Sequence, residues 1–200
     1  MENFLKVYLP VYLIIYMLAA FVWPSIRTFR QTGINPVVFG KAATAHNYIG
    51  FVMKVLIALL FASILFFSLF GAKYNYLLPV WYLDHSAIRI AGLVIIHLAL
   101  IWIIVAQKQM SISWRIGIDE MNKTALVKHG IFSISRNPIF LGMILSVFGL
   151  FLVLPNAMTF SLTLATWFII QIQIRLEEEF LEKQHGQMYI EYKSKTRRLL

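Results

Sequence analysis

Two polar motifs hold most of the side chains capable of chemistry. The first runs Leu126-Val127-Lys128-His129-Gly130-Ile131-Phe132, then Ser133-Ile134-Ser135-Arg136-Asn137-Pro138-Ile139-Phe140. The second runs Arg175-Leu176-Glu177-Glu178, then Leu181, Gly186, Tyr189 and Tyr192. Residues 141–174 between them carry no charge. Gly130 permits a tight turn or a close backbone approach. Pro138 suits the first turn of a helix, with Asn137 as its N-cap, and the free N–H groups there can receive an anion. Arg136 beside that end can grip a carboxylate through two parallel hydrogen bonds. A plainer account has Asn-Pro merely starting a helix while Arg136 snorkels to lipid headgroups. Glu177 and Glu178 gain nothing from topology and sit where a helix dipole disfavours acids. Their plainer account is a solvated face shared with Glu179 and Glu182 and paired to Arg175 and Lys183. Charged groups held at the ends of apolar helices mark a place where a polar cofactor meets a lipid-side substrate.

The elements that must position these motifs are membrane helices. The chain has 200 residues, 60% of them hydrophobic and 14% charged. A soluble domain of that size has too little interior for so much apolar surface. The sequence therefore predicts a single all-α integral membrane domain over residues 1–200. Five apolar spans approach the ~20 residues needed to cross a bilayer. They run Phe4 to Trp23 (closed by Pro24), Tyr48 to Phe70, Ala87 to Ala106, Ile139 to Leu154, and Ala157 to Ile174. The first is read as a retained helix, not a cleaved signal, because the odd span count needs it. Pro155-Asn156 alone separates the last two spans, which predicts a tight hairpin with Asn156 capping its second helix. That helix continues into an amphipathic cytosolic stretch, with Gln171, Arg175, Glu178, Glu182, His185 and Tyr189 on one stripe and a break at Gly186 as the alternative.

The net charge of +9 follows from topology, with no need for a nucleic-acid partner. Fourteen Lys and Arg, Lys41 and Lys123 among them, fall on the side that holds both motifs, against Lys6 and Lys73 on the other. That asymmetry predicts an N-terminus outside and a C-terminus in the cytosol, as for a bacterial inner-membrane protein. The absence of cysteine excludes disulfides, thiolate metal sites and a cysteine nucleophile. No metal-ligand pair, P-loop or dinucleotide fingerprint is present, and without a strand–Gly loop–helix unit a soluble Rossmann-type methyltransferase is excluded. His97 stands alone mid-span, open to a functional role or a single interhelical hydrogen bond. Gly142, Ser146 and Gly149 form a small-residue stripe that predicts close helix packing. Trp114-Arg115 reads either as an interfacial anchor or as a substrate-side group.

In order and spacing, Leu-Val-x-x-Gly-x-aromatic, Arg-x-Pro-x-aromatic, a hairpin, then Glu-Glu-x-x-Leu-x-x-x-x-Gly-x-x-Tyr-x-x-Tyr resembles the isoprenylcysteine carboxyl methyltransferases and the related membrane phospholipid methyltransferases. The resemblance covers about residues 107–198 and is to bacterial-type members, as is that of Thr32-Gly33-Ile34-Asn35-Pro36. It implies a cytosolic pocket for S-adenosylmethionine. Val127, Lys128, His129, Gly130, Ile131, Phe132, Arg136, Asn137, Pro138 and Phe140 would line it, with Glu177, Glu178 and Tyr189 closing it from the other helix. Arg136 or His129 would meet the cofactor's carboxylate and a glutamate its ammonium, while aromatic rings would cover adenine or sulfonium. The commoner family form is Arg-His-Pro-x-Tyr; Asn137 and Phe140 depart from it, which removes a titratable group and a hydroxyl.

The implied reaction is methyl transfer to a lipid-like or amphiphilic acceptor that enters laterally from the membrane. A carboxylate acceptor would need a cationic anchor, assigned to Arg175. An amine or phenol acceptor would need a base, assigned to Glu178. Two rival readings share the helical core: an NADPH-dependent membrane reductase of the sterol-reductase type, and a bundle that has lost its chemistry.

Overall fold

The computed structural model describes residues 1–38, 44–119, 122 and 124–200. Lys41 and Lys123, counted above, lie outside the described residues. The helices are α1 (Glu2–Thr32), α2 (Ala45–Leu69), α3 (Ser86–Met110), α4 (Pro138–Val153), α5 (Ala157–His185) and α6 (Gln187–Lys195). Among the described residues there is no strand, only isolated bridges between loops. The all-α membrane architecture is thus as the composition demands.

The span count differs from the expected five. Among the described residues only α1, α2, α3 and α5 are long and apolar enough to cross a bilayer. The fourth expected span is the 16-residue α4, about 24 Å long at 1.5 Å per residue. Its far end nevertheless meets the connection between α2 and α3. Val80 N–H donates to Pro155 O at 2.8 Å and Ala157 N–H to Leu78 O at 3.0 Å. Asn156 Nδ2 donates to Tyr74 Oη at 3.0 Å. The hairpin tip is therefore at the end of the bundle opposite the polar motifs. Asn156 also caps α5 in a capping box, its side chain accepting from Thr159 N–H at 2.9 Å.

The first span does not stop at Pro24. A π-turn at Leu18–Val22 leads into Trp23–Thr32, and the helix ends only at Gly33, whose φ of 70° closes it in the left-handed region. Proline has no N–H for the carbonyl four residues earlier, which is Ala20. Gln107 of α3 supplies the missing donor, its Nε2 reaching Ala20 O at 2.6 Å. Tertiary structure thus repairs a break that local sequence would leave open.

The core lies where Leu5, Leu9 and Leu13 of α1 meet Ile64 and Phe67 of α2 and Leu150, Val153 and Leu154 at the end of α4. The α3–α4 pair approaches most closely. A Cβ on Gly92 would lie 2.6 Å from Gly149 O, and one on Gly142 2.5 Å from Ile103 Cγ1. The stripe of small residues is thus a packing surface. His97 makes the interhelical bond, Nε2 to Tyr8 Oη at 2.5 Å, while Nδ1 pairs with Leu93 O at 2.6 Å. Gly186, φ 55°, breaks the last long helix into α5 and α6.

Candidate functional site: a cavity between the two motifs

A cavity of about 340 Å³ opens where the motif-bearing ends of the helices converge. That volume falls within the range of small-molecule sites. From the first motif the wall takes Val127, Phe132, Arg136, Asn137, Pro138 and Phe140; from the second, Glu177, Leu181, Tyr189 and Tyr192. Two motifs about 35 residues apart are thereby one site. The hairpin returns α5 alongside α4, and Gly186 turns α6 so that Tyr189 is buried against the cavity.

Each wall segment is held by a bond outside itself. Gly130, φ 62°, sits against the Gln109 side chain where a Cβ would collide with the amide. Gln109 Oε1 accepts Ile131 N–H at 2.9 Å, which fixes the turn that buries Phe132. Trp102 Nε1 donates to Pro138 O at 2.9 Å and seats the start of α4 on α3. Tyr192 Oη donates to Phe132 O at 2.5 Å and ties α6 to the same turn. Burial pushes the Tyr192 hydroxyl up to about 12, with nearby Arg136 opposing and Glu178 assisting. Burial raises Tyr189 as well, with Glu178 assisting and Arg136 opposing.

The adjacent glutamates part company. Glu177 lines the cavity and accepts from Gln173 Nε2 at 2.8 Å. Gln173 is itself only 2% exposed, and its Oε1 has no hydrogen-bond partner among the described residues. Glu178 faces away, 4% exposed, beneath two guanidinium groups. Its Oε1 accepts from Arg136 Nε at 3.0 Å and Nη2 at 2.9 Å, and its Oε2 from Arg198 Nε at 3.0 Å. The third nitrogen of Arg136, Nη1, donates to the carbonyls of Lys193 and Thr196. Arg136 therefore contributes to the wall with its guanidinium already engaged. Asn137 occupies the N-cap position without capping; its Nδ2 donates instead to Glu178 Oε1 at 3.3 Å and Arg198 O at 3.1 Å.

Several expected residues lie elsewhere. Lys128, His129 and Gly130 are exposed, and neither they nor Ile131 line the cavity. Arg175 is exposed on the outer face of α5, bonded to Gln171, in a surface cleft with Glu178, Glu182 and Lys193. That cleft holds Arg175, Glu178 and Glu182 of the expected stripe apart from the cavity, whereas Tyr189, beyond the break at Gly186, lines the cavity. Sequence reasoning missed Gln173, Lys54, Gln107 and the run Thr124–Leu126 as lining residues. Gln173 carried a readable signal, lying one turn before Glu177. Lys54 had a weaker one, a lone charge in a span whose average hydropathy absorbs it. Trp114, 3% exposed, and Arg115 both line the cavity, so Trp114 is not an interfacial anchor.

Residues 87–188, just over half of the chain, match the phospholipid methyltransferase family. The chain belongs to this family. The matched stretch runs from the start of α3 into α6 and contains the first motif and the second as far as Gly186, while Tyr189, Tyr192, α1 and α2 lie outside it. No curated protein matches the chain. Family membership makes this a membrane methyltransferase with a lipid-side environment, in agreement with its apolar helices.

Proposed function

We propose that the chain uses S-adenosylmethionine to methylate a lipid-like acceptor, with cofactor and acceptor meeting in the cavity between the motifs. The observation that carries this reading is the Gln173–Glu177 pair. A half-buried carboxylate faces the cavity beside a buried amide oxygen to which no described residue donates. A ligand bearing an ammonium and an amino or hydroxyl donor completes both. Phe132, Phe140 and Tyr189 supply faces for a flat base or a sulfonium. Arg136 and Arg115, both on the wall, are already paired with Glu178 and Asp119.

The cofactor supplies an electrophilic methyl group, and the protein's part is position and dryness. In the transfer the methyl–sulfur bond breaks with its electrons kept by sulfur, as the bond to the acceptor's oxygen or nitrogen forms. A second, apolar cavity of about 90 Å³ shares Met17, Phe21, Met53, Ile57 and Met143 with the first. It runs between α1, α2, α4 and α5 and fits the hydrocarbon part of an acceptor. Lys54 of α2, on the wall of the first cavity, takes the anchoring role that a carboxylate acceptor requires. An amine acceptor would find its base in Glu177, the glutamate that reaches the cavity. The excess of Lys and Arg around this end supports a cytosolic position for it, with the N-terminus outside.

The test is calorimetry of the purified chain with S-adenosylhomocysteine and with NADPH. S-Adenosylhomocysteine should bind, and Glu177→Gln should weaken it about tenfold or more, the value of one charge-assisted hydrogen bond. Binding of NADPH in its place sinks this proposal in favour of a reductase. Equal affinity of wild type and Glu177→Gln removes the pocket assignment.

A further inference from the structure

The segment that follows α6 turns back onto the cavity wall. Arg136 N–H donates to Arg197 O at 2.9 Å, so residues 135 and 197 form a parallel bridge. Asn137 Nδ2 donates to Arg198 O at 3.1 Å, and Arg136 Nη1 to Lys193 O at 3.0 Å. Thr196 is buried. Leu199 packs on the cluster of Ile144, Ile170 and Ile174 between α4 and α5. Glu178 then closes the arrangement, since its two oxygens are divided between Arg136 and Arg198, at 2.9 Å each in the ion pairs.

Arg136 and Asn137, the wall residues, thus have their polar atoms turned to the tail and to Glu178. A single carboxylate held by two guanidinium groups is geometrically demanding, and a planar Arg fork meets that demand better than Lys. Losing either arginine frees a neighbour: without Arg198, the tail keeps only backbone bonds and one leucine.

We propose that residues 196–199 are a strap that sets the cofactor-facing wall, with the Glu178–Arg198 ion pair as its clasp. Glu178 and Arg198 are positioning residues on this reading and touch no ligand. The inference rests on the methyltransferase reading of the cavity. Closure of the strap and occupancy of the cavity are then linked, and by reciprocity each stabilises the other.

The experiment uses the full chain in detergent, with Arg198→Ala as the main variant because the Arg198 side chain is 38% exposed and folding should tolerate its loss. Hydrogen exchange at residues 135–137 reads the strap, and calorimetry with S-adenosylhomocysteine reads the cavity. Arg198→Ala should accelerate exchange at the Arg136 amide and raise the dissociation constant about tenfold, a coupling of ordinary size. Arg198→Lys should restore part of the affinity, and the ligand should slow exchange at Arg136 in the wild type. Leu199→Ala, which leaves every charge in place, should move both readouts the same way. Unchanged exchange in Arg198→Ala overturns the strap. Faster exchange with unchanged affinity overturns its role in setting the wall. If the wild type binds no S-adenosylhomocysteine, the methyltransferase reading falls, and the exchange arm alone decides whether the clasp holds residues 135–137.

Discussion

Gly92 of α3 packs backbone to backbone against Gly149 of α4, and replacing Gly92 by alanine tests that contact directly. The added Cβ would lie 2.6 Å from Gly149 O, where ordinary contact begins at 3.4 Å, a shortfall of 0.8 Å. Leu152 Cβ and Val153 Cγ2 at 2.9 Å block sideways escape. The obstacle is backbone, so relief requires the two helices to part. Overpacking of this kind costs about 1–3 kcal/mol, and a backbone clash belongs at the upper end. Alanine returns roughly 1 kcal/mol through helix propensity. The net loss is therefore about 2 kcal/mol, or a fall of about 4–8 °C in the thermal midpoint for a chain of this size. The assay is thermal unfolding of the detergent-solubilised protein, with Leu98→Ala as a control on an exposed face that should stay within about 0.5 kcal/mol. Gly92 is 17 residues from Gln109, about 25 Å along α3. Affinity for S-adenosylhomocysteine should then hold within about threefold, as for distant sites. A variant as stable as the wild type would refute the α3–α4 packing, and a variant that loses the ligand but not stability would refute the separation of packing surface from site.

Two further outcomes follow from the same structure. The raised Tyr192 hydroxyl gives alkaline sensitivity: the phenol is neutral in both states below pH 10, and its share of stability is lost as pH rises from 10 towards about 12. Tyr192→Phe should flatten that decline without abolishing it, since Tyr189 is raised too, and should cost about 1 kcal/mol at pH 7 through the lost bond to Phe132 O; an unchanged alkaline slope would remove Tyr192 from the buried wall. The cysteine-free sequence lends itself to single-cysteine labelling: Lys73→Cys should react with an impermeant maleimide in intact cells and Lys195→Cys only after permeabilisation, and the opposite pattern would invert the proposed orientation.

Features set by short stretches of chain were legible before the fold was known. Apolar runs, the Pro155–Asn156 turn and the small-residue stripe each depend on local chemistry; the turn and the stripe stand as read, and four of the five runs lie in helices of spanning length. What escaped depends on partners distant in sequence. Pro24 reads as a stop until Gln107 supplies a donor to Ala20 O from another helix. Asn137 reads as a cap until Arg198 O and Glu178 claim its amide. Arg136 reads as a free cation until the tail returns to occupy it. Lys54 is invisible to a hydropathy average although it reaches the cavity.

The glutamate pair shows why a motif can be right while its parts are misassigned. Neighbouring residues on a helix point about 100° apart, so Glu177 and Glu178 must enter different surroundings wherever α5 lies against another element. Which one faces the cavity is fixed by a third position: Gln173, one turn before Glu177, shares its face and is buried there. Glu178 is then turned to the side where Arg136 and the tail arrive. On the proposed reading the doublet divides two tasks between two carboxylates, one facing a ligand and one holding the wall that the ligand leans on. On that division the two substitutions differ in kind: Glu177→Gln removes a contact to the ligand, whereas Glu178→Gln, by loosening Arg136 and Arg198 together, reaches the ligand only through the wall.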